Sequence, residues 1–329
     1  MKVVVIGGGT GSFAVLNGLK KYPIDITSLV TVADNGGSTG RLRDEFGILP
    51  PGDFRMALVA LADESISQEL RDLFLYRFDK GDGLKGHNFG NLFLVALTEI
   101  FSSYSDALKF ASTLLKIKGR VLPISDESLT LLAQYEDNSI QREEKHIDDP
   151  GEDHDGKLRI TSIWVEPESV SNSEAIGAIL DADFVITGPG DLYTSLIANF
   201  VVGGVSSAMK KTEAKFIYIA NLINKFGHTH GFKSSDYVAE IEKYSTRTPD
   251  FVLLNTTPID KAILKSYEKE NGFPIVDDFD GSEDYKVVRA DLLASGVAKK
   301  QSGDALKRSL ARHDADKLAW EIFKILKDN

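Results

Sequence analysis

Two aspartates and two arginines stand together near the start of the chain, Asp34 and Asp53 bracketing Arg41 and Arg43 in "TVADNGGSTGRLRDEFGILPPGDFR". Carboxylates in a cleft with guanidinium groups and backbone amides suit a phosphate ester or a diphosphate, with or without a divalent ion on the acids. Upstream lies another glycine run, "IGGGTGS", in which Gly8, Gly9, Thr10, Gly11 and Ser12 follow a β-branched stretch and open a helical one. Read from Gly9, with Ala14 last, it fits G-x-G-x-x-A. Its N–H groups and the helix N-terminus then point at whatever sits above the sheet edge, a geometry that suits phosphate or pyrophosphate.

The elements that must position these groups are legible in outline. "KVVVIG" and "DITSLVTVAD" are apolar, β-branched runs, and "FAVLNGLKKY" between them has helical spacing, so the three read as a βαβ unit. Asp34 ends the second strand, where a dehydrogenase would place an acid for a ribose hydroxyl. The residues beyond Asp34 argue against a dehydrogenase. "NGGSTGRLRDEFG" is expected to be a long flexible loop that brings Asn35, Gly36, Gly37, Ser38, Arg41 and Arg43 to the site, where a dehydrogenase has a short turn into a helix. Asp53 stands at the expected N-cap of "PPGDFRMALVALAD". "NLFLVALTEIF" is strongly apolar and reads as a buried helix; the amphipathic "SYSDALKFASTLLKIKG" should end on Gly119.

From "RVLPIS" through "KLRITSIWVEPE" the period becomes strand-like, around the acidic "EDNSIQREEKHIDDPGEDHDGK", which reads as an exposed hairpin loop. The α/β alternation then resumes to the C-terminus, with "LYTSLIANFVVGGVSSAMKK" as one helix. The fold class is α/β, a doubly wound, mostly parallel sheet with a β-rich insertion. The organisation is a single domain over 1–329, with an N-terminal part at 1–118, the insertion at 119–170 and a C-terminal half at 171–329. Further strand-to-helix transitions add candidates: Asn88 in "GHNFGN", Gly188 and Gly190 in "ITGPGDLYTS", and Asn221 after "KFIYIA". In an open parallel sheet all these carboxyl ends share one edge, where ligands bind. "GEDHDG" and "HTHG" look metal-like but lack partners at ligand spacing and are set aside.

Composition narrows the classes. The chain has 329 residues, 42% hydrophobic, and no cysteine, which excludes disulfides, thiolate zinc sites and cysteine nucleophiles. A net charge of −11 without a clustered basic surface opposes a nucleic-acid role. No run approaches the roughly 18 to 20 apolar residues of a membrane span, so the expectation is a cytoplasmic protein without membrane insertion.

The N-terminal block from "VVVIGGGTGS" to "RMALVALAD", with "GHNFGNLFLVALTEI", "GPGDLYTSLIANFVVGG", "NLINKFGHTHGFKSSDYV" and "RHDADKLA", resembles the YvcK-type gluconeogenesis factors (UPF0052) of the CofD-like superfamily. The resemblance runs nearly end to end. It implies a three-layer α/β/α Rossmann-like core and a cytoplasmic bacterial protein, linked to cell shape, cell-wall synthesis and gluconeogenic growth, that binds UDP-sugars. Distant relatives, CofD proper, transfer a phospholactyl group from a guanosine diphosphate-linked donor to a deazaflavin alcohol with magnesium. Carried over by position, Asp34 and Asp53 match the acids of those transferases: possible Mg ligands, and catalytic only if this chain is an enzyme. Gly8 to Ser12, Asn88, Gly188, Pro189, Gly190, Tyr193 and Asn221 would line the nucleotide cleft, and Tyr267 and Arg312 would reach the nucleotide-sugar. This chain departs from its branch at Ser12, where Leu is usual, and at Met56, where Asn is usual. The leading reading is therefore a nucleotide-sugar-binding regulator with no turnover required. The alternative is a Mg-dependent transferase using a nucleoside-diphosphate-linked donor. The sequence leaves open catalysis, self-association and the protein partner.

Overall fold

The computed structural model describes residues 1–151, 154–296 and 309–329. The metal-like "GEDHDG" therefore falls partly outside the described residues, at 152 and 153. The chain opens with β1 (Lys2–Gly7), α1 (Gly9–Leu19) and β2 (Asp25–Val30), the βαβ unit read from the sequence. Five helices precede the next sheet strand: α2 (Gly37–Phe46), α3 (Pro51–Leu61), α4 (Gln68–Leu75), α5 (Phe89–Phe101) and α6 (Tyr104–Leu114), which leads into β3 (Arg120–Pro123). The insertion comprises β4 (Thr130–Tyr135), β5 (Ile140–Arg142), α7 (Glu144–Asp148) and β6 (Ile160–Glu166). Then come α8 (Ser173–Leu180), β7 (Phe184–Thr187), a π-helical turn at Leu192–Ile197, α9 (Ala198–Phe200), α10 (Val205–Lys211) and β8 (Lys215–Ile219). The chain closes with α11 (Ser234–Ser245), β9 (Phe251–Asn255), α12 (Lys261–Glu268), β10 (Lys286–Ala290) and α13 (Ala315–Asp328).

Seven strands form one sheet in the order β10-β9-β8-β7-β1-β2-β3, and every pairing in it is parallel. The small sheet, β5-β4-β6, is antiparallel. Val3, Val4, Val5 and Ile6 of the central strand are all buried, because helices cover both faces of a parallel sheet and leave no polar side. The strand order reverses between β1 and β7, so the loops leaving those neighbours diverge to opposite faces and open a crevice between them. Their ends are level: Ile6 pairs with Thr187, and Gly7 on its other side with Val30.

Several expectations need correction. "NGGSTGRLRDEFG" is a helix, α2, because Leu42 packs with Ile48 and Val95 and Gly47 supplies a left-handed C-cap. Asp53 is not an N-cap: Pro50 holds that position, Pro51 opens α3 and Asp53 lies in the first turn. α6 stops at Leu114, and Gly119, at φ 111°, instead lets the chain pass the carbonyl of Ile26 on its way into β3. β3, placed sequence-wise in the insertion, is an edge strand of the main sheet. "LYTSLIANFVVGGVSSAMKK" is broken, because Gly204 at φ 98° interrupts it before α10. The helix from "NLFLVALTEIF" exists, but its outer face is not covered: Ile100 and Phe101 are exposed.

Helix α1 lies on α13 at a contact without room for a side chain. A Cβ on Gly18 would sit 2.1 Å from the carbonyl oxygen of Ala315, whereas one on Gly177 in α8 meets nothing within 4 Å. Gly18→Ala is therefore expected to lose roughly 2 kcal/mol or more in urea denaturation, since backbone has to move. Gly177→Ala should gain about 0.5–1 kcal/mol by lowering the entropy of the unfolded chain. A neutral Gly18→Ala would disprove this packing.

Candidate functional site

The site is built where β1, β2, β7 and β8 end. Gly8, extended, caps α1, and Gly9 at φ 66° starts it, so the first N–H groups of an eleven-residue helix face the crevice. Two close approaches explain why glycines stand here. A Cβ on Gly11 would lie 1.8 Å from the carbonyl oxygen of Pro189, and one on Gly8 would lie 2.1 Å from Asp53 Oδ2. The loops after β1 and β7 thus touch backbone to backbone. Asn221 fastens a third strand end to them, its Nδ2 donating to the Gly190 carbonyl at 2.7 Å. Two polar atoms in this wall are buried without a partner among the described residues: the Ser12 hydroxyl, beside Gly7, and Asn221 Oδ1. Unsatisfied buried groups are costly, and a ligand is one way of satisfying them.

Beyond Asn221 the ends of β8 and β9 and the α12 region enclose a cavity of about 270 Å³, lined by Asn221, Asn255, Leu254, Ile259, Leu264 and Ile275 among others. It is mostly apolar with amide groups at its edge, the general character of a pocket for a flat organic ring.

Against the same wall the carboxylates gather: Asp53 lies beside Gly8, and Asp191 directly follows Gly190. Asp34 Oδ1 accepts from the Gly36 amide at 2.8 Å, and its Oδ2 lies against Gly52, at the start of α3, where a Cβ would approach it to 3.3 Å. Burial, and then the charge of Asp53, raise its pKa from 3.8 to about 7; the Gly36 amide and Arg43 oppose the shift without cancelling it. Glu144, from α7, is pushed well above the carboxylate range by burial and by Asp34, Asp148, Asp191 and Asp53. Within this acidic group stands Lys225. Burial disfavours its ammonium, but Asp191 and Asp148 outweigh that and keep it charged. It is bonded to Asp148 and lies 3.8 Å from Asp191.

The acidic segment expected to be a solvated loop is thus a correction as well, because it carries α7 onto the site. Asn35 holds it there: Nδ2 donates to Glu143 Oε2 and Oδ1 accepts from the Lys145 amide, both at 2.9 Å. His228 bonds the Ile147 carbonyl, which gives one histidine of "HTHG" a structural contact. The residues that sequence reasoning missed, Glu144, Asp148 and Lys225, had one signal: Glu144 and Asp148 are four apart, on one face of a helix.

The remaining candidates fall into three groups. Gly8 to Ser12, Gly188, Pro189, Gly190 and Asn221 are brought together at the crevice, and Asp53, with Asp34 near it, lies against Gly8. Ser38 and Asn88 sit in a buried polar cluster: Ser38 Oγ is 3.1 Å from His87 Nδ1, Arg55 Nε donates to Asn91 Oδ1 at 2.8 Å, and Asn88 caps α5. Burial, with Arg41 and Arg77, keeps the pKa of His87 below its usual range. Arg41 is exposed and bonds the Lys85 carbonyl, and Arg43 pairs with Asp44 at 2.8 Å. Tyr193 is fully buried against His228, away from the open cleft. The Tyr267 hydroxyl accepts from the amides of Leu310 and Ala311, at 2.8 and 3.1 Å, and so fixes the backbone next to Arg312.

Asp34 and Asp53 fit a hard divalent cation in one respect: two neighbouring carboxylates completed by water are how magnesium is usually held, and Asp53 adds to the burial that raises the pKa of Asp34. Among the described residues no group of three or more His, Asp or Glu side chains is arranged to enclose a metal, which leaves water or ligand oxygens to complete any such shell. No described helix is long and apolar enough to cross a membrane.

The sheet order, the helices on both faces and the crevice at the switch point define a three-layer α/β/α, Rossmann-like protein. Comparison with known proteins gives the family. The CofD family, described as 2-phospho-L-lactate transferase CofD, matches residues 3–293, and the chain belongs to it. It is 41% identical to a Thermotoga maritima protein provisionally described as a gluconeogenesis factor, over 99% of both chains. It is 36% identical to the gluconeogenesis factor of Bacillus subtilis, over 99% of this chain and 98% of that one. A crystal structure of a Bacillus halodurans protein superposes with a TM-score of 0.87 at 34% identity, covering 98% of this chain and 99% of that one.

The pKa of Asp34 gives a stability test. Its folded pKa lies above its unfolded value, so the native state holds the extra proton between about pH 4 and 7; stability falls as pH rises across that window, and the full penalty is present above pH 7. Asp34→Asn keeps an oxygen for the Gly36 amide and removes the charge. It is expected to be more stable than the wild type at pH 8, by roughly 1–3 kcal/mol, with the gap closing as pH falls to 5. Parallel denaturation curves at the two pH values decide; a gap that does not change with pH would refute the burial of an ionised Asp34.

Proposed function

We propose that the chain binds a nucleoside diphosphate sugar, of the UDP-sugar type, and acts as a regulatory protein of carbon metabolism, with the cell-wall and cell-shape role its family resemblance implies and a cytoplasmic location. The observation that carries this reading is Asn221. Its Nδ2 bonds the glycine loop after β7, its Oδ1 has no partner among the described residues, and it also borders the 270 Å³ cavity. A ligand with a diphosphate and a ring would span that path. The diphosphate would take the α1 amides and the Ser12 hydroxyl, and the ring would take the apolar cavity and Asn221 Oδ1 as acceptor. The acids beside this wall suit the hydroxyl groups of a sugar, which donate to carboxylates.

Thermal shift with a ligand panel tests this. UDP-sugars should raise the melting temperature more than NAD or GDP does, and Asn221→Leu should weaken UDP-sugar binding by about ten- to a hundredfold, the loss of a buried hydrogen bond and its geometry. The absence of any rise with a uridine nucleotide sinks the proposal.

A second reading has its own observation, the Asp34 and Asp53 pair beside the N-terminus of α1. In that reading the chain is a transferase of a phosphorus-containing group, and Asp34 and Asp53 would hold magnesium, which supplies charge stabilisation at phosphoryl oxygens. The chain's own part is to bind the donor on α1 and keep the acids oriented through Gly36 and Gly52. Magnesium-dependent product formation that vanishes in Asp34→Asn is the expected result. If that variant only weakens nucleotide binding, the regulatory reading stands alone.

A further inference from the structure

Helix α5 has the composition of a buried helix on the surface of the protein. Its thirteen residues, "FGNLFLVALTEIF", contain a single charge, Glu99. The inward side buries Gly90, Asn91, Leu94, Val95 and Leu97. The outward side continues apolar at Phe89, Phe93, Ala96 and Ile100, spaced i, i+4, i+7 and i+11, which is one stripe along the helix. A helix apolar all round is normally covered on all sides, yet Ala96 is exposed and Ile100 is 74% exposed.

Neighbouring helices widen the stripe. Phe101 is exposed and its ring lies 5.7 Å from that of Phe110 on α6, one turn before the exposed Leu114. At the other end the Phe93 ring lies 5.2 Å from Phe74 of α4, and the Phe89 amide bonds the carbonyl of the exposed Tyr76. We propose that this α4–α5–α6 face is the contact between two copies of the chain, joined about a two-fold axis.

Charge selects a second copy. The whole chain carries −11, so most faces of one molecule repel the same face of another. Residues 68–118 carry six acids and seven lysines or arginines, a balance of +1, and the outward stripe of α5 carries none. A two-fold contact brings each surface against itself, and this one meets itself without a like-charge cost. Area agrees. The exposed fractions of Leu73, Tyr76, Ile100, Phe101, Phe110 and Leu114 amount to roughly 500 Å² of apolar surface, close to the apolar share of the roughly 800 Å² per partner in a standard interface, and at the upper end for a monomer.

The test is sedimentation or light scattering of the full chain across low to high micromolar concentrations. The wild type is expected to be a dimer. Ile100→Asp and, separately, Phe110→Asp should each weaken association by about tenfold or more, and together by about a hundredfold, with melting temperature and near-ultraviolet dichroism kept because both positions are exposed. Trp320→Asp, at an exposed position on α13, should leave association unchanged. A wild type that is monomeric throughout overturns the proposal, including one that stays monomeric but floats with phosphatidylglycerol vesicles. So does a dimer that both α5–α6 variants leave intact, or that Trp320→Asp dissociates.

Discussion

The contact between Gly11 and the carbonyl of Pro189 is the constraint on which the site depends. It exists because β1 and β7 are neighbours in the sheet, and they are neighbours because the strand order reverses there. Two loops that leave adjacent strands for opposite faces would ordinarily spread apart. Here the loop after β7 folds back until its backbone occupies the space of a missing side chain. Asn221 then ties the end of β8 to the same loop, and Gly8 lets Asp53 come in from α3. Three strand ends and two helix N-termini are thereby held in one wall, on strands and helices whose apolar sides are buried on both faces, so the wall has little freedom to relax.

That rigidity is what makes the acidic group tenable. Asp34, Asp53, Glu144 with Asp148, and Asp191 converge from four segments of the chain, with Lys225 as the half-buried cation between Asp148 and Asp191. Free side chains carrying so much like charge would move apart. They are held by contacts that do not involve the charges themselves: the Asn35 amide clamps α7, the His228 ring holds the carbonyl of Ile147, and the Gly36 amide orients Asp34. The structure answers the remaining repulsion with protons, since Asp34 and Glu144 both favour the neutral form. A ligand that brings hydroxyl donors or a cation to this group replaces those protons with partners, and binding there is coupled to the same electrostatics that limit stability.

The features legible in the sequence were those that depend on local pattern. The βαβ unit, the existence of β2, β7, β8 and β9, and the glycine loops all rest on β-branched runs and on glycines at turns, although β2 stops at Val30 and not at Asp34 as its apolar run suggested. α11 also fell where the pattern put it, at Ser234–Ser245. The errors share a cause: a local signal pointed one way and a distant contact decided otherwise. The glycines of "NGGSTG" suggested a loop, but Leu42 finds Ile48 and Val95, and Gly40 lets α2 pack on the carbonyl of Asn35. Charge made "REEKHIDD" look solvated, but Ile147 is buried and Asn35 reaches across more than a hundred positions to fix the turn. Lys225 could not have been chosen from its neighbours, because its partners, Asp148 and Asp191, belong to other elements.

Helix α5 joins these themes. Its N-terminal turn serves the polar interior: Asn88 caps it, Asn91 accepts from the buried Arg55, and Gly90 is small because the Arg55 side chain passes within 2.7 Å of where a Cβ would lie. In its C-terminal half the Thr98 hydroxyl donates back to the Leu94 carbonyl, and there the chain keeps apolar residues on the outer side as well as the inner. A solvent-facing helix needs no phenylalanines or isoleucine on its outer stripe, and replacing them with lysine or glutamate would leave the inner packing with Leu94 and Leu97 untouched. The apolar outer stripe therefore needs a cause outside the packing of this one chain. Burial against another surface supplies that cause, so the polar end of the helix serves the buried cluster around Arg55 and its apolar flank a contact.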